Sequence, residues 1–416
     1  MKTSRRNFLY GATAVGASLV AGRASAQDAI SELLGAKRRG NWDDQFDARA
    51  TQGGKVATTL PIFSPQTVSF VEQAINSYGQ IVAQGGWPSV PDTKKLQLGV
   101  IDPDVAALRR RLMVSGDLSS RAGVSNAFDT YVDAAVKRFQ ARHGLPADGV
   151  LGQYSYAAMN VSAPVRLGQL QTNLTRLREK AGTLGSRYVV VNIPAAQIEA
   201  VENDRVVLRH TAIVGKIDRQ TPILASKINE IIVNPYWNAP ESIVRKDIIP
   251  LMRKDPEYLK MNAIRILGPQ GEIDPTTIDW STEDAAKFRF RQDPGKINAM
   301  ASVKINFPNS HATYMHDTPS QGLFNKLMRF DSSGCVRVQN VRDLVTWIMR
   351  DTAGWNRQRF EQTIKSGEST PVAITNPVPV YFEYVSAWST GDSVVHFRDD
   401  IYHLDGAREL QLSSAI

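Results

Sequence analysis

The periodicity of apolar residues changes at Arg187 and divides the chain into a helical part and a strand-rich part. Downstream, short β-branched runs between turn residues predict strands at 188–193, 197–201, 206–214, 228–233, 303–315, 378–388 and 394–402. An interruption at 234–259, helical and charged from Arg245, and a helix at Val341–Met349 break this series. The pattern predicts a multidomain α+β chain whose C-terminal part is mainly β.

The part before Arg187 has helical spacing. We predict helices at 29–34, at Pro65–Ala83 and at 163–181, the last packing back on the N-terminal helices. Residues 98–161 contain three short helices joined by tight turns. The predicted domains are a helical scaffold (27–95, completed by helix 163–182), a three-helix bundle (96–162), a strand-rich domain (187–405) and a tail (406–416).

The first 26 residues have the features of an export signal. Paired arginines in Ser4-Arg5-Arg6-Asn7-Phe8-Leu9 precede a short apolar stretch and the small-residue sequence Ala24-Ser25-Ala26. This predicts a twin-arginine signal, removal of residues 1–26 and a periplasmic location. The alternative is a membrane anchor, but the apolar run is shorter than the roughly 20 residues that span a bilayer. We expect no stable membrane span after the signal is removed.

The charge balance argues against a nucleic-acid partner. The formal net charge is +8, and the predicted signal carries four of these charges and no acid, which leaves +4. A weakly basic exported chain does not have the charge of a dedicated nucleic-acid binder. The sequence has no cluster with metal-ligand spacing, so we expect neither a metal nor another cofactor.

Cys335 is the only cysteine of the chain. In an exported protein, a cysteine that cannot pair within the chain is either a buried apolar residue or a reactive thiol. It follows Ser332, Ser333 and Gly334, small residues that let the backbone turn tightly and expose the next side chain. We predict that the N–H groups of Gly334 and Cys335 are donors for an oxyanion.

A reactive thiol needs a base, and two histidines fall in one predicted strand. We favour His316 over His311 because the turn Asp317-Thr318-Pro319 follows it and places it at a strand end. A backbone carbonyl at or near Asp317 would orient the imidazole. Candidate substrate contacts, each with plain packing or a structural pair as its alternative, are Tyr236, Trp237, Tyr314, Asn306, Ser332, Ser333 and Arg337.

The bundle resembles a peptidoglycan-binding module. The module's pattern is Val-x-x-Phe-Gln on a helix followed by Gly-Leu-x-x-Asp-Gly-x-x-Gly, and the matching residues are Val136, Phe139, Gln140, Gly144, Leu145, Asp148, Gly149 and Gly152. The resemblance implies that peptidoglycan glycan is a partner. The alternative is a helical spacer that binds nothing.

The strand-rich domain resembles the YkuD-like L,D-transpeptidase catalytic domain. The family pattern is a histidine and then Ser-x-Gly-Cys-hydrophobic-Arg, here His316 followed by Ser332-Ser333-Gly334-Cys335-Val336-Arg337. The resemblance implies Cys335 as nucleophile, His316 as base, Gly334 in the oxyanion hole and a structural or substrate-contacting role for Arg337. Many members have histidine where this chain has Ser333. Asn234-Pro235-Tyr236-Trp237-Asn238-Ala239-Pro240, then Arg245-Lys246-Asp247-Ile248, resembles the start of the cap of the YcbB-like subgroup, and Phe324-Asn325 also fits its pattern. This closer resemblance implies a helical cap at about 236–300.

The resemblance also implies a reaction. Cys335 would attack the diaminopimelate–D-alanine bond of a tetrapeptide stem, and a diaminopimelate amine of a second stem would take the acyl group and form a 3-3 cross-link. One alternative is hydrolysis of the same thioester by water. Another is a protein amine as acceptor, which would attach an outer-membrane protein to the wall. A third is a non-catalytic wall-binding protein, against which the pair of His316 and Cys335 argues.

Overall fold

The computed structural model describes residues 58–391 and 393–412. The predicted signal at 1–26 and the helix predicted at 29–34 lie outside these residues. In the part that is described, no helix is both long enough and apolar enough to cross a membrane.

Helices fill the chain from residue 58 to Arg187. They are α1 (Pro65–Ala83), α2 (Pro103–Val114), α3 (Thr130–Arg142), α4 (Gln153–Asn160) and α5 (Ala163–Lys180). The helices predicted at Pro65–Ala83 and 163–181 are confirmed, as are the three helices of the bundle. Proline within the first two positions of α1, α2 and α5 suits a helix start, where a missing N–H has no intrahelical partner to lose.

The strand-rich domain is a closed sheet. Its strands are β1 (Arg187–Asn192), β2 (Gln197–Glu202), β3 (Arg205–Gly215), β4 (Leu224–Val233), β9 (Val303–Asn306), β10 (Met315–His316), β11 (Phe330–Ser332), β12 (Val336–Val338) and β13 (Thr370–Glu383). The strand order is β11-β3-β12-β10-β9-β4-β13-β1-β2, and β2 also pairs with β3. This second pairing closes the sheet into a barrel with a side-chain core, while β11 pairs with β3 alone.

Two helices complete the barrel core. They are α9 (Val341–Met349) and α10 (Arg357–Ser366), which contribute Leu344 and Phe360 to the cluster of buried barrel residues. The helix predicted at Val341–Met349 is confirmed. The strand predicted at 303–315 is wrong in extent, because β9 ends at Asn306 and β10 begins at Met315. The Asn309 carboxamide accepts from the N–H groups of His311 and Thr313 and holds a turn between the two strands.

The cap, residues 236–300, is inserted between β4 and β9 and has its own core. It contains the short helices α6 (Glu241–Ile243), α7 (Ile249–Met252) and α8 (Tyr258–Met261), with a π-helical turn at Val244–Ile248. It also contains a sheet in the order β5-β8-β6-β7, formed by β5 (Trp237–Asn238), β6 (Ile264–Gly268), β7 (Gly271–Ile273) and β8 (Arg289–Gln292). The cap therefore contains both helices and a β-sheet, whereas the sequence predicted only its helices.

The scaffold is completed from the C-terminal side. Helices α1 and α5 share a buried cluster with the hairpin β14 (Ala387–Ser389) and β15 (Val395–Phe397). Helix α5 packs back on α1, as predicted. The strand predicted at 378–388 is divided between β13, which ends at Glu383 in the barrel, and β14, and the strand predicted at 394–402 is observed only as β15 (Val395–Phe397). The sequence predicts both in the strand-rich domain, but the hairpin packs on the scaffold. A lone two-stranded hairpin needs such a surface for stability.

The bundle is closed by the motif residues and by the chain's last described residues. The Gln140 carboxamide is buried, donates to Asp148 and accepts from the Gly149 N–H at 2.9 Å. Leu410 and Leu412 lie in the bundle core, 1% and 7% exposed. The segment predicted as a tail at 406–416 is thus a packed part of the bundle at least to Leu412.

Candidate active site

The candidate site lies on one face of strands β9, β10 and β12. Side chains of paired residues stand side by side on a sheet, so the register decides which groups meet. His316 pairs with Lys304 on one side and with Arg337 on the other. One imidazole and two cations are therefore neighbours across three strands.

Tyr314 and Cys335 form the next row of this face. The Val336 N–H donates to the Tyr314 carbonyl at 3.1 Å, which sets the two chains in register. The hydroxyl and the backbone N–H of Tyr314 both act on the Cys335 thiol and lower its pKa. The Tyr314 ring centroid lies 5.5 Å from that of His316. Tyr314 thus links the thiol to the imidazole.

The His316 ring is held in one tautomer. It is 7% exposed, and Nδ1 lies 2.6 Å from the carbonyl oxygen of Asp317. A carbonyl can only accept, so Nδ1 carries the hydrogen and Nε2 is the free acceptor. Burial, helped by the charges of Arg337 and Lys304, lowers the pKa of His316 to about 3. The prediction of an orienting carbonyl at or near Asp317 is confirmed.

The Cys335 thiol is half-buried, and its surroundings shift its pKa in opposite directions. Burial raises the pKa of the thiol, while the Tyr314 donors and then Lys304 and Arg337 lower it. The first effect is the larger one, so the pKa lies above its ordinary value. Near neutral pH, a neutral thiol and a neutral imidazole are therefore present on this face.

The cysteine turn, residues 332–335, is shaped by Gly334. Its φ of +107° lies in a region that glycine adopts without strain. The Gly334 N–H donates to Ser332 Oγ at 3.2 Å, so it is engaged within the turn and is not the free donor that the sequence predicted. The Gly334 carbonyl accepts from Thr221 Oγ1 at 2.9 Å. In a planar trans peptide this directs the Cys335 N–H the opposite way, away from Thr221.

A loop between β3 and β4, residues 216–223, supports the cysteine turn. Thr221 Oγ1 also accepts from the Gly215 N–H at 2.8 Å, and the Lys216 N–H donates to the Ser332 carbonyl at 3.0 Å. A Cβ on Gly334 would stand 3.3 Å from the Gln220 carbonyl oxygen. The loop and the turn are therefore in direct backbone contact.

A cavity of about 100 Å³ lies between this face and the cap. The barrel contributes Tyr314, His316, Ser332, Ser333, Cys335 and Arg337 to its lining, and the cap contributes Trp237, Ile243, Asp247, Ile248, Leu251, Tyr258 and Ala299. The structure thus brings together the predicted residues Cys335, His316, Ser333, Arg337, Tyr314 and Trp237.

Two other candidate substrate contacts do not line this cavity. Tyr236 is 44% exposed and lies beneath the Arg291 guanidinium. The side-chain amide of Asn306 donates to the Glu230 carboxylate at 3.0 Å, so this candidate is engaged in a structural pair.

Comparison with protein families gives two matches. Residues 186–374 match the YkuD family, described as the L,D-transpeptidase catalytic domain. The strand-rich domain is similar to this family. Residues 102–159 match a second family, described as "Putative peptidoglycan binding domain". The YkuD match starts at β1 and ends within β13, so it leaves out the hairpin that packs on the scaffold. The second match falls within the three-helix bundle.

The chain is also similar to individual proteins. A protein of Haemophilus influenzae named "Putative L,D-transpeptidase" is 37% identical over 227 residues, which are 54% of this chain and 45% of the relative. The match thus spans less than half of that relative's length. An L,D-transpeptidase structure from Xylanimonas cellulosilytica aligns over 70% of this chain and 99% of its own, with 17% identity and a TM-score of 0.23. One from Stackebrandtia nassauensis aligns over 71% and 96%, with 13% identity and a TM-score of 0.25.

Three residues of the candidate site were not predicted from the sequence. Lys304 could have been found, because in Val303-Lys304-Ile305-Asn306 a polar residue alternates with buried apolar ones. Arg219 and Thr221 lie on a loop without a motif, and only the fold brings them to the cysteine turn.

Proposed function

We propose that this protein is a peptidoglycan L,D-transpeptidase that works through a Cys335 thioester. The proposal rests on one observation: within a domain similar to the YkuD family, Cys335 and His316 line the same cavity, and His316 Nδ1 is fixed by the Asp317 carbonyl. This leaves Nε2 as an unprotonated acceptor facing a site with a single thiol.

The acylation step uses three groups. As Cys335 Sγ attacks the carbonyl of diaminopimelate in a donor tetrapeptide, His316 Nε2 takes the thiol proton. The Cys335 N–H, directed away from Thr221, stabilises the oxyanion. His316 then returns the proton to the D-alanine amine as the C–N bond breaks, which leaves a thioester on Cys335.

The second step transfers the acyl group. The side-chain amine of diaminopimelate on another stem attacks the thioester, His316 takes the amine proton, and the Cys335 sulfur leaves and regains a proton. The product is a 3-3 cross-link, and His316 ends neutral as it began. The apolar cap wall favours transfer because it limits water at the thioester.

The two cations of the site suit an anionic stem. Lys304 and Arg337 both act electrostatically on Cys335, and no ion pair joins either to a carboxylate among residues 58–391 and 393–412. Stem peptides carry carboxylates that such cations can bind. The three-helix bundle would bring the protein to the glycan, and the twin-arginine sequence would place it in the periplasm.

Product analysis tests the proposal. Purified protein is incubated with a tetrapeptide muropeptide, and the products are weighed by mass spectrometry. A cross-linked dimer with loss of one D-alanine is expected. Tripeptide without dimer would instead identify a hydrolase. Transfer only to an added amine-bearing outer-membrane protein would identify attachment to the wall.

Replacing Lys304 with methionine is expected to slow alkylation of Cys335 by iodoacetamide about three- to tenfold at pH 7–8. Loss of a nearby positive charge raises the pKa of the thiol, and alkylation needs the thiolate. The rate is measured from pH 6 to 10, where the variant's profile should move to higher pH. Lys227→Met, on an exposed part of strand β4, is the matched control. Equal profiles for wild type and Lys304→Met would contradict the assigned influence of Lys304.

A further inference from the structure

An ion pair joins the cap to the loop that supports the cysteine turn. Arg219 donates through both terminal nitrogens to the Asp247 carboxylate, at 2.6 and 2.9 Å. Asp247 belongs to the π-helical turn of the cap, and Arg219 belongs to the loop between β3 and β4. Their side chains are only 10% and 15% exposed. A paired, two-point contact at this burial holds geometry more strongly than a surface pair.

The same guanidinium reaches the cysteine turn. Arg219 Nη1 donates to Ser333 Oγ at 3.0 Å, and Ser333 lies two residues before Cys335. The backbone of Arg219 is close to the same turn, because a Cβ added to Gly334 would lie 3.8 Å from the Arg219 carbonyl oxygen. One residue therefore contacts the cap with its side chain and the turn with both side chain and backbone.

The cap is closed in this arrangement. The cavity beside Cys335 measures about 100 Å³, whereas ligand pockets are typically about 300–1,000 Å³. A tetrapeptide stem does not fit until the cap moves away from the barrel. Because Asp247 lines the cavity, such a movement would pull directly on the Arg219–Asp247 pair.

We propose that Arg219 is a positioning residue that locks the cap, through Asp247, onto the cysteine turn, and that this lock shelters Cys335 and its acyl group from water. The lock separates when a stem enters and re-forms over the thioester. This inference rests on the proposed function for the acyl group, but the sheltering of the thiol is a separate property of the free protein.

The lone cysteine allows a direct test of sheltering. Cys335 is the only thiol, so labelling of the full chain reports one site. We compare iodoacetamide with a bulky fluorescent maleimide in wild type, Asp247→Asn and Arg219→Lys. Both variants are expected to react about tenfold faster with the bulky reagent and less than about threefold faster with the small one, because the cap opens more often. Lysine is a point charge that cannot hold Asp247 and Ser333 together.

Arg245→Gln is the matched control. Arg245 is also a cap arginine with two carboxylate partners, Glu241 at 2.7 Å and Glu283 at 2.6 Å, but these pairs are exposed and do not contact the barrel turn. Its labelling rates are expected to equal those of wild type. Thermal unfolding midpoints of all variants show whether a change in labelling reflects cap opening or global unfolding.

A second readout follows the acyl group. Protein acylated by the tetrapeptide donor is freed of excess donor, and loss of the acyl mass is timed without acceptor. Asp247→Asn is expected to lose it about tenfold faster than wild type and Arg245→Gln. Labelling ratios in Asp247→Asn and Arg219→Lys that match wild type would overturn the lock. A wild type that never gains acyl mass would refute the proposed function, while the labelling result would still decide the lock.

Discussion

Cys335→Ala is expected to abolish acylation, lowering the rate of thioester formation at least about 10⁴-fold. No second cysteine exists to replace the nucleophile, and a cysteine that is half-buried loses little packing when cut to alanine. The measurement is the mass of the intact protein after exposure to tetrapeptide donor, or to a carbapenem as an acylating probe. Wild type should gain one acyl group and the variant none.

Cys335→Ser is the companion variant. It keeps the shape of the side chain and the contact with Tyr314, but an unactivated hydroxyl is a weaker nucleophile than a thiol with a neutral imidazole at hand. It should stay folded and remain nearly inactive, which separates loss of chemistry from loss of structure. Acyl mass on the alanine variant would show that the nucleophile lies elsewhere.

His316→Gln is expected to slow acylation by about 10²- to 10⁴-fold, the range typical of a lost general base. Because the pKa of His316 is about 3, the imidazole stays neutral down to acidic pH. Protonation would disable it only as pH falls toward that value, well below the ordinary histidine range. Wild-type acylation, timed from pH 4 to 9, should therefore show no decline near pH 6.5, and the glutamine variant should be slow throughout.

The chain offers a close control in His210→Gln. His210 is also a buried barrel histidine, 6% exposed, whose Nδ1 lies 3.0 Å from a backbone carbonyl, that of Gln339. It does not line the cavity beside Cys335. Its replacement should leave the acylation rate within about threefold of wild type once folding is matched. Equal losses in both variants would point to barrel integrity and not to a base.

Much of the site could be predicted because its residues sit in local motifs. Gly334 needs its positive φ, Cys335 follows it, and the turn after His316 supplies the orienting carbonyl. These relations span only a few residues, and the rules that govern them are local. The helix at Pro65–Ala83 is similar, since its apolar spacing and its Ser64 cap are both visible in the sequence.

The features that the sequence did not predict depend on side-chain contacts or on very short strands. The alternation that predicted a strand through residues 303–315 could not reveal that Asn309 would hold a turn there with its side chain. The sheet of the cap is formed by strands of five residues or fewer, too short for a periodic signal. Arg219 reaches Asp247 and Ser333 only through tertiary packing, and no local sequence pattern predicts that contact.

The packing of Leu410 and Leu412 into the bundle has a consequence for biosynthesis. The bundle helices precede the strand-rich domain in the chain, but their core includes Leu410 and Leu412, which follow that domain. Domains usually fold in order as they leave the ribosome. Here the bundle core stays incomplete until Leu412 has been synthesised, so loss or fraying of the segment around Leu410 would destabilise a region made long before it.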